Sequence, residues 1–131
     1  MRIYNYNSSA TSNAEDFIKA TRALSDETRL RILMILLERD CCVCEVMQAL
    51  DISQTRASRN LNILQEAGFL SAQRDRFWTV YRINRESGNQ YAATLARLLQ
   101  KTSPEGEFFL QDRERLQEAR RIGPGCRTIK E

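Results

Sequence analysis

Residues 41–65 read CCVCEVMQALDISQTRASRNLNILQ, a stretch that joins a cluster of thiols to a polar helix. Three of its first four residues are cysteines: Cys41, Cys42 and Cys44. A short helix is predicted at residues 46–50, a turn at residues 51–52, and Ser53 is a typical N-cap for the next helix. Two helices joined by a short turn form a helix-turn-helix. The stretch therefore predicts a thiol site directly before a DNA-recognition helix.

The second helix of this motif has a polar outer face. Ala57, Leu61 and Leu64 recur at the spacing of an inward-facing stripe, and Gly68 is a typical C-terminal stop. The residues between them then face outward, and their side chains are of the kinds that contact phosphates and base edges in DNA. The predicted DNA-binding residues of this helix are Gln54, Thr55, Arg56, Ser58, Arg59 and Asn62.

A β-hairpin is predicted after this helix. One strand begins at residues 69–70, and residues 78–83 alternate with the period of two that is typical of its partner. Between them, a polar turn at residues 74–76 carries Arg74 and Arg76. A hairpin packed behind a helix-turn-helix is the wing of a winged helix, and these two arginines are predicted to contact DNA at its tip.

The rest of the chain is predicted to be helical. Residues 1–11 are expected to form a flexible tail, residues 12–101 the winged-helix DNA-binding and sensing domain, and residues 102–131 a dimerisation helix with a tail that carries Cys126. Serines are predicted to begin four of the helices: Ser12, Ser25, Ser87 and Ser103. The predicted fold class is mostly α with a small β-hairpin, a winged helix-turn-helix that is dimeric because apolar faces of its first and last helices need cover.

Composition narrows the functional class. A chain of 131 residues with 28% charged residues fits one folded domain, and it contains no run of about 18 apolar residues that would predict a membrane span. A cytoplasmic protein without a membrane partner is expected. Residues 53–85 carry six arginines against two acidic residues, although the net charge of the whole chain is only +3. This local excess of arginine favours a phosphate-bearing partner, double-stranded DNA.

The cysteine cluster favours a soft ion over a disulfide framework. Neighbouring cysteines rarely reach disulfide geometry, and three thiols without any histidine in the chain suit a three-sulfur site better than tetrahedral zinc. A structural zinc would need a fourth ligand, from Cys126 or a partner subunit. The nearby helix N-terminus and Arg39 are expected to favour thiolate over thiol. The simpler alternative is that the cysteines are small buried hydrophobic residues.

The order of these motifs resembles the arsenical-resistance (ArsR-type) repressor family. The resemblance spans residues 23–83 and rests on ALSDETRLRIL, CCVCEV, ALDISQTRASRNLNILQEAGFL and WTVYRI. It implies a homodimeric repressor that leaves its operator DNA when trivalent arsenic or antimony binds Cys42 and Cys44. Met47 stands where the arsenic-sensing branch often has a third cysteine, and Cys41 is the candidate substitute.

Two other functions are also consistent with the cysteine cluster. A thiol-based redox sensor on the same scaffold would use Cys126 or a partner thiol to resolve an oxidised cysteine. A small thiol metal carrier or thiol enzyme is less favoured, because the CCVC run is not set in the βαβ pattern of a redox CxxC motif and the chain has no histidine for acid–base catalysis. The sequence therefore predicts a regulator that is not an enzyme.

Overall fold

The computed structural model describes residues 13–125, which form six α-helices and one three-stranded antiparallel sheet. In chain order these elements are α1 (Ala14–Leu24), α2 (Glu27–Glu38), β1 (Cys41–Cys42), α3 (Val43–Leu50), α4 (Gln54–Glu66), β2 (Leu70–Asp75), β3 (Trp78–Ile83), α5 (Gln90–Lys101) and α6 (Glu107–Glu118). The helix-turn-helix is α3 and α4, and the wing is β2 and β3. The predicted fold class is confirmed.

The N-caps match the prediction at the recognition helix and differ elsewhere. The Ser53 side chain accepts the backbone N–H of Arg56, as predicted. The predictions for Ser25, Ser87 and Ser103 are wrong, and Ser12 lies outside the described residues. At α1, α2 and α5, asparagine and aspartate side chains accept the first free N–H groups instead, whereas α6 begins after Gly106 with no side-chain cap. The observed N-caps of α1, α2, α5 and α6 are Asn13, Asp26, Asn89 and Gly106.

The wing is longer than predicted and gains a third strand. The bounds of β3 are those predicted, but β2 continues to Asp75, which pairs with Trp78, so the turn lies at residues 76–77. Arg76 enters that turn with a φ of 62°. On the other edge of β3, β1 pairs Cys41 with Tyr81. A strand of two residues is too short to have a periodicity, so the sequence did not reveal it.

The main hydrophobic core lies between α2, α4 and the sheet. Ile32 and Leu33 of α2 are fully buried, and on α4 the predicted inward stripe is confirmed, since Ala57, Leu61 and Leu64 are fully buried as well. Gly68 ends the α4 segment with a φ of 96°, a conformation that favours glycine. The polar face of α4 is therefore held outward by the packing of its opposite face.

The last helix, α6, packs against α2 and α3 through a buried ion pair. Asp112 is 1% exposed, and both its oxygens accept hydrogen bonds from the Arg31 guanidinium at 2.8 Å. Arg115 donates to the same carboxylate at 3.1 Å and to the Ala49 carbonyl at 2.8 Å. These contacts fix α6 to the end of α3 that faces the helix-turn-helix turn. The prediction that α1 and the last helix meet a second copy of the chain stays a prediction.

Of the helices between residues 13 and 125, none has the length and apolarity that crossing a membrane would need.

Candidate thiol site and nucleic-acid interface

Strand β1 and helix α3 meet at the cysteine cluster. Cys42 is the last residue of β1 and also the N-cap of α3, with extended backbone angles. Its backbone N–H donates to Glu45 Oε1 at 2.8 Å, in the capping-box spacing that usually begins with serine or threonine. Cys44 is the second residue of α3, so the change from strand to helix places its side chain beside that of Cys42.

The structure brings Cys42 and Cys44 together. Their Sγ atoms are 3.1 Å apart, and both residues are 0% exposed. They form a small cluster of their own, against which Trp78 of the wing and Ile122 beyond α6 pack. The Ile122 backbone N–H donates to Cys44 Sγ at 3.3 Å. The pair is thus a closed sulfur site between α3, the wing and the C-terminal segment.

Cys41 does not join this pair. Successive residues of a strand point to opposite faces, and Cys41 belongs to the main hydrophobic core. Its Sγ donates to the Arg39 carbonyl at 3.5 Å. Within residues 13–125 no three cysteine or carboxylate side chains form a group that would hold a metal ion. Cys126, another candidate ligand, lies outside the described residues.

The ionisation of these cysteines departs from the prediction. Cys41 and Cys42 carry thiols, whereas Cys44 is disulfide-bonded. Burial raises the pKa of Cys41 to about 12, against a smaller lowering by Arg39, and burial also raises the pKa of Cys42. Arg39 lowers the pKa of Cys41 as expected, but desolvation of the charged form outweighs it, so the expectation that Cys41 and Cys42 favour thiolate is wrong.

Arg39 has a structural role that the sequence did not reveal. Its guanidinium donates to Glu45 Oε2 at 3.2 Å and to the carbonyls of Leu116 and Ala119 at 3.1 and 3.3 Å. Glu45, 7% exposed, thus links the Cys42 backbone to Arg39 and through it to the end of α6. The capping-box spacing of Cys42 and Glu45 was the available signal, but cysteine is an unusual residue at that position.

The outer face of α4 is available to a nucleic acid. All but one of the predicted contact residues on this helix are exposed, and Ser58 is half-buried. Arg56 is tethered at one end, because its guanidinium donates to Thr28 Oγ1 of α2 at 2.9 Å. The exposed residues of the predicted set are Gln54, Thr55, Arg56, Arg59 and Asn62.

A polar contact beneath this face orients the recognition helix. Asn60 is 7% exposed and accepts a hydrogen bond from the Arg29 guanidinium at 3.0 Å. Its amide donates to the Arg56 carbonyl at 2.9 Å, and Arg29 Nε donates to the Ala23 carbonyl at 2.7 Å. Arg29 and Asn60 therefore connect α1, α2 and α4. No periodic pattern predicts this pair, because both residues interrupt apolar stripes.

The wing presents the other predicted DNA contacts. Arg74 and Arg76 are exposed near its tip, and Arg74 Nε donates to the Arg76 carbonyl at 3.1 Å. Asp75 between them accepts a hydrogen bond from Arg121 at 2.9 Å, so its negative charge is paired. The wing that carries Arg74 and Arg76 also contributes Trp78 to the cover of the sulfur pair, so the predicted thiol site and the predicted wing contacts share one element.

Comparison with known proteins places these features in one family. Residues 26–72 match the model of the bacterial regulatory protein family arsR. The chain is 41% identical over 68 residues to the arsenical resistance operon repressor of Escherichia coli, a match that covers 51% of this chain and 58% of that one. It is 40% identical over 63 residues to an uncharacterised HTH-type transcriptional regulator of Methanocaldococcus jannaschii, covering 47% of this chain and 71% of that one. The chain spans only 52% and 58% of the first arsenic-resistance relatives that it matches.

A solved structure agrees with the fold. The homodimeric winged helix-turn-helix DNA-binding domain of a possible ArsR-family transcriptional regulator from Mycobacterium bovis superposes with a TM-score of 0.57 at 28% identity. That match covers 68% of this chain and 79% of the other. From its helix-turn-helix, its wing and these relatives, we conclude that the chain belongs to the arsR family of bacterial regulatory proteins.

Proposed function

We propose that this protein is a transcriptional repressor that binds operator DNA as a homodimer and is released when trivalent arsenic or antimony binds Cys42 and Cys44. One observation carries the proposal. The two sulfur atoms lie 3.1 Å apart at the first turn of α3, which is the first helix of the helix-turn-helix. A ligand held there acts directly on the element that supports the recognition helix.

The donor set suits a soft ion. Thiolate sulfur binds soft metals and metalloids, and the sulfur pair has no histidine near it because the chain contains none. Cys42 and Cys44 would supply two ligands once the disulfide of Cys44 is reduced. The third ligand comes from Cys41, from Cys126 or from a partner subunit. Cys41 is the costliest of these to recruit, because it would have to leave the main core.

Because the sulfur pair is buried, binding of an ion must change the packing around it. Cys42 and Cys44 are both fully buried, so an ion can reach the reduced pair only if the packing of Trp78 and Ile122 over them opens. Binding also requires Cys42 to lose its proton, and its raised pKa makes that loss a cost that the sulfur–ion bond must offset. Occupancy and the resting packing of α3 therefore compete.

Ion binding at the sulfur pair would affect DNA binding through α3. This helix packs against α4, and its first turn is held by the hydrogen bond of Glu45 to Cys42 and by Arg39. An ion bonded to both sulfurs must displace their cover and shift that turn, which disfavours the placement of α4 that fits DNA. A tenfold loss of DNA affinity needs a preference of about 1.4 kcal/mol for the released state, and the coupling is reciprocal.

DNA contact is assigned to the exposed side chains of α4 and the wing tip. Arg59, Gln54 and Thr55 stand at the outer face of α4, while Arg74 and Arg76 extend from the wing. This arrangement suits a recognition helix in the major groove with the wing against the backbone. The homodimer of the Mycobacterium bovis domain supports a two-fold arrangement for this chain as well.

The test is release of the reduced protein from its own promoter DNA, followed by fluorescence anisotropy while trivalent arsenic is titrated. Wild type should dissociate, and Cys42→Ser should bind the same DNA but stay bound, because one of the two paired sulfurs is gone. The matched control is Cys41→Ala, which removes the neighbouring thiol that faces the core. Release of both cysteine variants at the wild-type arsenic concentration would refute this assignment of the site.

The disulfide bond of Cys44 favours a second candidate, a thiol redox sensor on the same scaffold. Oxidation of the sulfur site would then replace ion binding as the signal that alters α3. The same anisotropy assay separates the two functions. Release by peroxide, reversed by a reducing agent and insensitive to arsenic, would support the redox sensor. Release by arsenic in the presence of excess reducing agent would support the metalloid-responsive repressor.

A further inference from the structure

The segment after α6, residues 119–125, crosses the sulfur pair and continues onto the wing, and we call it the C-terminal strap. Its start is fixed to α3 by a two-way contact with Gln48. The Gln48 side-chain amide donates to the Arg120 carbonyl at 2.8 Å, and the Arg120 backbone N–H donates to Gln48 Oε1 at 3.1 Å. The strap therefore begins on the same helix that carries Cys44.

The middle of the C-terminal strap covers the sulfur atoms. Ile122 packs against Cys42 and Cys44, and its backbone N–H donates to Cys44 Sγ at 3.3 Å. The carbonyl of the same residue accepts a hydrogen bond from Trp78 Nε1 at 3.2 Å. One residue thus touches both the sulfur pair and the wing, through hydrogen bonds on its two sides.

The end of the C-terminal strap lies along the wing. The Arg121 guanidinium lies 5.3 Å from the centre of the Trp78 ring and donates to Asp75 at 2.9 Å. Gly125 has a φ of 64°, and a Cβ on it would stand 2.9 Å from the Phe77 carbonyl oxygen. A side chain at this position would therefore force the strap away from the wing turn.

From these contacts we infer that the C-terminal strap is a gate over Cys42 and Cys44, and that its attachment to the wing couples access to the sulfurs with the placement of the wing. The identity of the thiophilic ligand and the effect of DNA on the gate rest on the proposed function, whereas the packing of the strap over the sulfurs does not. When DNA holds the wing, the strap stays closed and the sulfurs are shielded. When the strap detaches, the sulfurs become accessible and the wing loses a support, as linkage requires.

The experiment measures alkylation of the reduced full-length protein by iodoacetamide, with the rate at each cysteine resolved by tandem mass spectrometry. Gly125→Ala should raise the rate at Cys42 by roughly fivefold to tenfold, because alanine disfavours this backbone conformation and opening becomes more frequent. Gly88→Ala is the matched control, since a Cβ there would meet no atom within 4 Å. The rate at Cys41, which reports general opening of the core, should not change in either variant.

A second pair of variants tests the gate without altering a glycine. Arg121→Gln removes the guanidinium from Trp78 and Asp75 and should accelerate alkylation at Cys42 by about twofold, as expected for an exposed ion pair. Arg120→Gln is its control, because Arg120 contacts Gln48 only through the two main-chain hydrogen bonds described above. Promoter DNA should slow alkylation at Cys42 in wild type and slow it less in Gly125→Ala.

Three results would overturn the inference. They are an unchanged rate at Cys42 in both Gly125→Ala and Arg121→Gln, an equal acceleration at Cys41 and Cys42, and a rate at Cys42 that DNA bound to wild type does not alter. None of these rates involves arsenic. A wild-type protein that ignores arsenic but shows the predicted alkylation pattern would therefore retain the gate and refute only the metalloid response.

Discussion

Cys41 and Cys42 are adjacent in the chain, yet they belong to two different regions of the molecule. Cys41 faces the main hydrophobic core, whereas Cys42 faces a small cluster with Cys44 that Trp78 and Ile122 cover. The main core is built from whole faces of helices and a sheet, and the small cluster is closed by a few side chains and one segment of chain. Burial in the first region stabilises the fold, and in the second it would control access to the sulfurs if the strap is the gate that we propose.

The largest expected effect separates the two regions by their contribution to stability. Leu33→Ala in the main core should lower the free energy of unfolding by about 2–5 kcal/mol, because Leu33 is fully buried and its removal leaves a cavity. Ile122→Ala in the small cluster should cost only about 1 kcal/mol, since Ile122 is half-buried at a chain segment that can relax. Urea unfolding followed by circular dichroism measures both. Equal losses would contradict the distinction between the regions.

The next effect separates the two regions by their response to a thiophilic ion. Cys42→Ser should raise the arsenic concentration needed for half-release of promoter DNA by at least about tenfold, since losses of even indirect contacts to a metal cost about 10–100-fold. Cys41→Ala should leave that concentration nearly unchanged, because Cys41 faces the main core. Anisotropy titration under reducing conditions gives both values. An equal loss in Cys41→Ala would instead identify Cys41 as the third ligand.

The pH dependence of stability reports on Cys41, the cysteine that faces the main hydrophobic core. The pKa of Cys41 is raised to about 12 by burial, from an ordinary value of 9.0, so the folded state keeps this proton where the unfolded chain loses it. Stability from this group is therefore complete below pH 9 and falls as the pH rises, by about 1.4 kcal/mol per pH unit between pH 9 and 12. The raised pKa of Cys42 acts in the same direction.

Urea unfolding of wild type and Cys41→Ala between pH 8 and 10 measures this effect. The variant should lose less stability over the interval than wild type does, because only Cys42 of the two thiols is left to titrate. Work below pH 10 limits the contribution of Tyr81, whose pKa is raised above its usual value of 10.0 by burial. Parallel curves for the two proteins would contradict the assignment of the slope to Cys41.

The smallest expected effect lies outside both regions, on the wing. Arg76→Gln should weaken DNA binding by about threefold to tenfold at low salt and reduce the salt dependence of log K by about 0.9, as expected for the loss of one phosphate contact. Arg97→Gln on α5 is a control on a different element. Anisotropy over a range of salt concentrations provides the comparison. An unchanged salt slope would remove Arg76 from the DNA interface.

Sequence alone determined the winged helix-turn-helix and the face that it exposes. The spacing of Ala57, Leu61 and Leu64 predicted the inward side of the recognition helix, and the alternation in residues 78–83 predicted a strand with the observed bounds. These features depend on local propensity and on periodicity, and both are determined by residues that are close together in the sequence. The capping of α4 by Ser53 was predictable for the same reason.

Which cysteines meet, and what covers them, follows from the packing of distant parts of the chain. Cys41 is nearer to Cys42 in sequence than Cys44 is, but the pairing of β1 with β3 turns Cys41 into the main core and leaves Cys42 and Cys44 together on the other side. Burial raises the pKa values of Cys41 and Cys42. From the nearby Arg39 and helix N-terminus, the sequence had predicted that these pKa values would be lowered. The cover by Ile122 joins residues 78 positions apart. Such contacts arise from the packing of distant segments, so no local pattern of residues encodes them.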